Sequence, residues 1–101
     1  MLIYNVTVKV DLSIHELWLQ WLQDIYIPEI LGTGCFVKHQ LLHLLELDDR
    51  EGITYAIQYY AESKANYNRY ISLYNQGFLQ QEKAAWGNKT VHFATIMEVV
   101  N

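Results

Sequence analysis

The sequence is poor in everything that would staple a chain, anchor it or bind polyanions. Its one cysteine, Cys35, excludes an internal disulfide and fits a reducing compartment. Its one proline, Pro28, leaves the rest of the chain free to form regular elements. Seven basic residues against 11 acidic ones give a formal net charge of -4, which disfavours a nucleic-acid backbone as partner. No apolar run approaches a membrane span, and Leu2–Val10 alternates where a signal sequence would run uniformly apolar. The expectation is a soluble, cytoplasmic chain forming a single domain over residues 1–101, with no membrane and no nucleic acid as partner.

What is present is apolar and aromatic. Hydrophobic residues make up 51% and charged ones 18%, the balance of a globular chain rather than a disordered one. That apolar share is rich for a small monomer and points to a surface buried against a partner.

The hydrophobic period then changes along the chain. Leu2, Tyr4, Val6, Val8 and Val10 alternate with Ile3, Asn5, Thr7 and Lys9, the period of a half-buried strand. From Ser13 the period is helical. Ser13 and Glu16 read as a capping box, and Leu12 and Leu17 as its hydrophobic staple. Ile14, Trp18, Trp21 and Ile25 form one apolar stripe, and the two tryptophans read as core under a sheet. Pro28 should end or kink this helix near Ile27, with one more turn possible before Gly32.

Cys35–Leu47 has two readings. Its run His39-Gln40-Leu41-Leu42-His43-Leu44-Leu45-Glu46-Leu47 is helical by propensity. Yet Ile53–Ala61 is strongly β-prone and needs a neighbour, and Asp48–Gly52 makes a natural hairpin loop, so a strand is preferred. On a strand, His39 and His43 share a face but lie roughly 13 Å apart at ~3.3 Å per residue, too far for one metal ion. No metal site is expected.

Ser63 opens a second helix, with Tyr67, Tyr70, Ile71 and Tyr74 as its stripe. Gly77 either stops that helix or permits a close approach, and Phe78–Trp86 can continue it. Gly87-Asn88 turns into a last strand, Thr90–Val100. The order β-α-β-β-α-β defines an α+β, ferredoxin-like domain: a four-stranded antiparallel sheet with two helices on one face.

That topology leaves one sheet face open. It receives Ile3, Asn5, Thr7 and Lys9, together with either Thr54, Ala56, Gln58 and Tyr60 or Ile53, Tyr55, Ile57 and Tyr59. Either set is too apolar for a solvent face, so two copies are expected to pack face to face as a homodimer around a small cavity. Candidate liners are Asn5, Thr7, Gln58, Tyr60 and His92. His39, His43 or His92 could carry a proton, because imidazole titrates near neutrality.

Gly32-Thr33-Gly34-Cys35-Phe36 leading into a strand, and Tyr59-Tyr60-Ala61-Glu62-Ser63 running into a helix with Ala65 and Tyr67, resemble the dimeric α+β-barrel superfamily. Met1–Val10 and Glu51–Tyr70 more narrowly resemble a small bacterial family of Bacteroidetes type, of unassigned activity. The superfamily resemblance implies a homodimer, and it includes cofactor-free monooxygenases and haem-degrading enzymes. The haem-degrading members use a first-strand Asn, which Asn5 could supply, and a histidine late in the second helix. This chain has no histidine between His43 and His92, so no haem and no other cofactor is expected.

The functional expectation is a binding or regulatory dimer, since no nucleophile motif, phosphate loop or ligand cluster appears. The alternative is a cofactor-free enzyme or a binder of small aromatic, quinone-like ligands in the cavity between two sheets. The ferredoxin-like fold is also that of RNA-binding RRM domains, but Arg50–Tyr59 matches their aromatic third-strand signature poorly.

Overall fold

The computed structural model describes residues 1–101. Strand β1 (Leu2–Asp11) lies inside a sheet ordered β2-β3-β1-β4, with β2 at Lys38–His43, β3 at Gly52–Ala61 and β4 at Thr90–Glu98. All neighbouring strands are antiparallel. Between β1 and β2 come α1 (His15–Trp21), a π-helical turn (Leu22–Tyr26) and α2 (Ile27–Leu31). Between β3 and β4 come α3 (Lys64–Leu73) and α4 (Asn75–Trp86). This is the ferredoxin-like α+β order that the alternating periods predict.

The register of β1 against β3 decides what each sheet face carries. Tyr4 sits opposite Tyr59, Val6 opposite Ile57, Val8 opposite Tyr55 and Val10 opposite Ile53. Most of this set is buried, and it packs in one cluster with Trp18, Leu22, Tyr26, Ile30 and Tyr70 from the helices. Burying each such side chain stabilises the fold by about 1.5–3 kcal/mol before conformational entropy is counted. The free thiol Cys35 lies in this cluster too, 1% exposed, in the loop before β2.

Local chemistry departs from the sequence pattern at four places. Asp11 Oδ1 accepts hydrogen bonds from Ser13 Oγ (2.6 Å) and from Ser13 N (2.8 Å), which together hold the Asp11 carboxyl below its usual range. The Ser13 hydroxyl is therefore turned backwards and caps nothing. Helix α1 starts at His15, with Ile14 in the N-cap position and no side-chain cap. Leu12 and Leu17 are both exposed rather than stapled together.

The second departure is the π-helical turn, closed by the Ile27 N–H bonding to the Leu22 carbonyl. A π turn inserts extra arc, so the stripe that began at Trp18 passes to Leu22 and Tyr26. Ile25, on the stripe of an unbroken α-helix, is 45% exposed. Pro28 then falls in the first turn of α2, where its missing N–H costs little.

Third, the strand expected over Cys35–Leu47 is confined to Lys38–His43, paired with Tyr60 through Tyr55 of β3. Leu44 and beyond lead into the hairpin loop, whose tip carries an exposed Asp48–Arg50 ion pair (2.7 Å). An exposed pair of that kind contributes little. Fourth, Gly77 neither ends a helix nor meets a neighbour: it lies inside α4, and a methyl group at its Cα would find nothing within 4 Å. The break between α3 and α4 is at Tyr74, where φ is -123° and ψ is -32°. Ser63 does cap α3, accepting from the Asn66 N–H at 3.2 Å.

Gly52 is the glycine that the sheet requires. A Cβ there would stand 2.6 Å from the Val10 carbonyl oxygen. Gly52→Ala should destabilise the fold by about 1–3 kcal/mol as the strand shifts to relieve the clash. Chemical denaturation measures this directly, and an unchanged midpoint would show that the β1–β3 spacing relaxes freely there.

Candidate functional site

The open sheet face is built of cross-strand rows. Met97, Ile3, Tyr60 and Lys38 form one row, and Thr95, Asn5, Gln58 and Gln40 the next. Phe93, Thr7, Ala56 and Leu42 form the third. A polar row thus lies between two largely apolar ones. Of the two sets possible for β3, the structure turns Thr54, Ala56, Gln58 and Tyr60 to this face. The apolar members are strongly exposed at the β4 side, where Phe93 is 63% and Val91 is 70% exposed.

The polar row is internally connected. Asn5 Nδ2 donates to Thr7 Oγ1 (3.3 Å) and to Thr95 Oγ1 (3.4 Å). The Tyr60 hydroxyl is placed to donate to Gln40 Oε1 (3.3 Å) or Gln58 Oε1 (3.4 Å). Lys38 Nζ stands 4.7 Å from the centre of the Tyr60 ring, a cation–π contact. The structure therefore brings Asn5, Thr7, Gln58 and Tyr60 together on one surface.

The histidines go to the other side. His92 sits opposite Val8, His39 opposite Tyr59 and His43 opposite Tyr55, and partners across a ladder share a face. All three therefore point to the helix side, away from any space between two open faces. The His43 ring packs 5.2 Å from that of Tyr55, whose hydroxyl meets His15 Nε2 at 2.7 Å. Burial, then the Asp49 charge, pushes the Tyr55 phenol up.

A second site lies beneath the helices. A chamber between the sheet and α4 is walled by aromatic and aliphatic side chains, among them Trp18, Leu22 and Ile57. Its polar groups are the hydroxyls of buried tyrosines, Asn75, His92 and the carboxyl group of Glu82. Glu82 is the one buried residue of α4, 6% exposed. Thr90 Oγ1 donates to its Oε1 at 3.1 Å, and His92 Nε2 is 3.6 Å from the same oxygen. Phe78 and Trp86, one turn either side of Glu82, rest edge-on against Tyr26 (5.7 Å) and Trp21 (5.6 Å). The helix is thus supported at two aromatic points with the acid between them. Sequence reasoning missed Glu82 because Gln80-Gln81-Glu82-Lys83 reads as a solvated run. The signal was its spacing: Tyr74, Phe78, Glu82 and Trp86 recur every four residues.

Burial sets the acid–base character of this chamber. The Tyr4 phenol, whose hydroxyl donates to Asn75 Oδ1 at 3.1 Å, is pushed up to about 12 by burial and then by Tyr67 and Glu82. Tyr26, donating to the Phe78 carbonyl at 3.1 Å, is raised by burial and by the Glu82 charge. Tyr70 and Tyr59 are raised by burial and by neighbouring tyrosines. The Tyr59 hydroxyl has no hydrogen-bond partner among the protein atoms. No group of three or more His, Cys, Asp or Glu side chains converges as a metal cage, and no helix is long and apolar enough to cross a membrane.

Comparison with known proteins places this architecture. Residues 1–100 match a family described as a domain of unknown function (DUF4286). No curated protein matches the sequence. A dimeric ferredoxin-like protein from an uncultured marine organism superposes with a TM-score of 0.70 at 13% identity, over 100% of this chain and 96% of that one. An ethd family protein from Bacillus halodurans gives 0.67 at 7% identity, over 99% and 100%. SnoaB, a cofactor-independent oxygenase from Streptomyces nogalater, gives 0.57 at 12% identity, over 99% and 94%. At these identities the likeness is one of fold.

The buried phenols make stability sensitive to alkali. In the unfolded chain a tyrosine loses its proton near 10, whereas Tyr4 keeps its proton in the folded state up to about 12. The folded state then holds protons that the unfolded state has released. Stability is complete below pH 10 and falls as pH rises through the window up to about 12. Ultraviolet titration should show a late tyrosinate phase that coincides with loss of the far-ultraviolet helix signal. A tyrosinate signal that is complete while the helices persist would contradict the buried chamber.

Proposed function

We propose that the chain, which belongs to the DUF4286 family, works as a homodimeric binding or regulatory module joined through its open sheet faces. The observation that carries this is the face itself: Ile3, Leu42, Phe93 and Met97 surround a polar row, and no element of the chain covers them. Apolar side chains left uncovered on both sides of a polar row support a contact surface. Charge does not oppose the same partner. The chain carries -4, yet its open-face strand positions hold Lys9, Lys38 and Asp11, a balance of +1 (two lysines less one aspartate). Two copies can therefore approach through these faces without acid meeting acid. The ferredoxin-like marine protein of the same fold is described as dimeric, which agrees.

A second reading places a small aromatic or quinone-like ligand between the two sheets, held without a cofactor by Asn5, Thr7, Gln58 and Tyr60. The connected polar row favours it, and one protein of this fold is described as a cofactor-independent oxygenase. His39, His43 and His92, being on the helix side, take no part. A cytoplasmic setting is in keeping with the single buried thiol, and no nucleic acid is needed as partner.

Sedimentation equilibrium at micromolar concentration should give twice 11.9 kDa. Phe93→Asp, which puts a charge on an exposed site of the face, should give the monomer with an unchanged far-ultraviolet spectrum. A wild-type chain that sediments cleanly at 11.9 kDa would refute the dimer.

A further inference from the structure

Three buried polar atoms have no hydrogen-bond partner among the protein atoms: Trp18 Nε1, Trp86 Nε1 and the Tyr59 hydroxyl. Two of them, on Trp18 and Tyr59, belong to side chains that line the chamber under α4. Both side chains are 1% exposed, so bulk solvent does not reach them. A buried donor in that state costs free energy comparable to a lost hydrogen bond unless something accepts from it.

The chamber also holds groups of the opposite kind. Tyr4 and Tyr26 use their hydroxyl hydrogens on Asn75 and on the Phe78 carbonyl, so toward the chamber their oxygens can only accept. The Glu82 carboxyl group accepts from Thr90 and has further lone pairs. The four groups that act electrostatically on the Tyr59 phenol are Tyr4, Tyr26, Tyr70 and Glu82, and all four line this chamber. A donor without an acceptor and several acceptors with lone pairs free therefore border one space without touching.

That space is small. About 20 Å³ of it admits the centre of a water-sized sphere. One buried water needs roughly 10–15 Å³ measured in that way, together with about two to four polar partners. The cavity meets both requirements for one water and admits no organic ligand.

We propose that this cavity is a binding site for a single water molecule that joins β3 to α4, accepting from the Tyr59 hydroxyl and donating to the Glu82 carboxyl group. Water is a molecule of that size which both accepts and donates, and the oxygens of Tyr4 and Tyr26 offer its second hydrogen an acceptor. The proposal gives Glu82 a role that packing does not. The one buried residue of α4 is polar because it seats the helix on the sheet through the water. The site lies within one protomer, on the opposite side of the sheet from the proposed dimer face, and does not depend on dimerisation.

The test is a crystal structure of the wild-type chain at a resolution that orders water, together with oxygen-17 relaxation dispersion in solution. The second measurement counts long-lived waters without interference from hydroxyl protons. A density peak within about 3.2 Å of both the Tyr59 hydroxyl and a Glu82 carboxyl oxygen is expected. In Tyr59→Phe, which keeps the ring, the peak should vanish and the dispersion amplitude should fall by the contribution of one water. A dry cavity in the wild type overturns the proposal. So does a peak bonded to only one of the two groups, or a Tyr59→Phe chain that keeps its water. The wild-type map needs no variant, so it decides the matter even where Tyr59→Phe fails to fold.

Discussion

The ten-residue pairing of β1 with β3 is the constraint on which the rest of the structure depends. Side chains alternate along both strands, so a slip of one residue in β1 would send Tyr4 and Val8 outward and bring Asn5 under the helices. Gly52 guards one end of that register, because any Cβ there meets the Val10 carbonyl. Every site described above inherits its composition from this parity. The polar row faces open space and the tyrosines face α4 for the same reason.

The two sides of the sheet then develop different chemistry. The open side is a flat, nearly neutral surface in which amides and hydroxyls bond one another, so its polarity is largely satisfied within the face. The covered side concentrates aromatic rings whose polar tips must find partners in a low-dielectric space. Tyr4 reaches Asn75 and Tyr26 reaches a carbonyl, while Tyr59 finds no protein partner. The first surface suits association, whereas the second is close-packed and leaves one buried hydroxyl without a protein partner.

The fold was legible because β1, β3 and the stripe of α3 follow their periods closely. Ser63 was legible as a cap because its neighbours leave its hydroxyl free. Ser13 was not, because Asp11 competes for the same hydroxyl, and that competition depends on where β1 ends. Ile25 was misplaced by a π turn, which no residue pattern around Leu22–Tyr26 announces. Of the candidate site, the open-face positions of Asn5 and Thr7 followed from strand parity, whereas those of Gln58 and Tyr60 were one of two alternatives that the pairing with β1 decides. The histidines did not, because the parity of β2 and β4 relative to β1 is set by pairing rather than by their own sequences. Glu82 was hidden by the polarity of its neighbours, although its four-residue spacing from Phe78 and Trp86 was there to be read.

Cys35 sits inside the core cluster although it belongs to a loop, held beside Phe36 where the chain turns into β2. A thiol so enclosed reacts with a disulfide reagent only when the surrounding core opens. The native chain thus carries its own clock: the rate at which Cys35 becomes modifiable reports the opening of the structure around the loop before β2 without any introduced label.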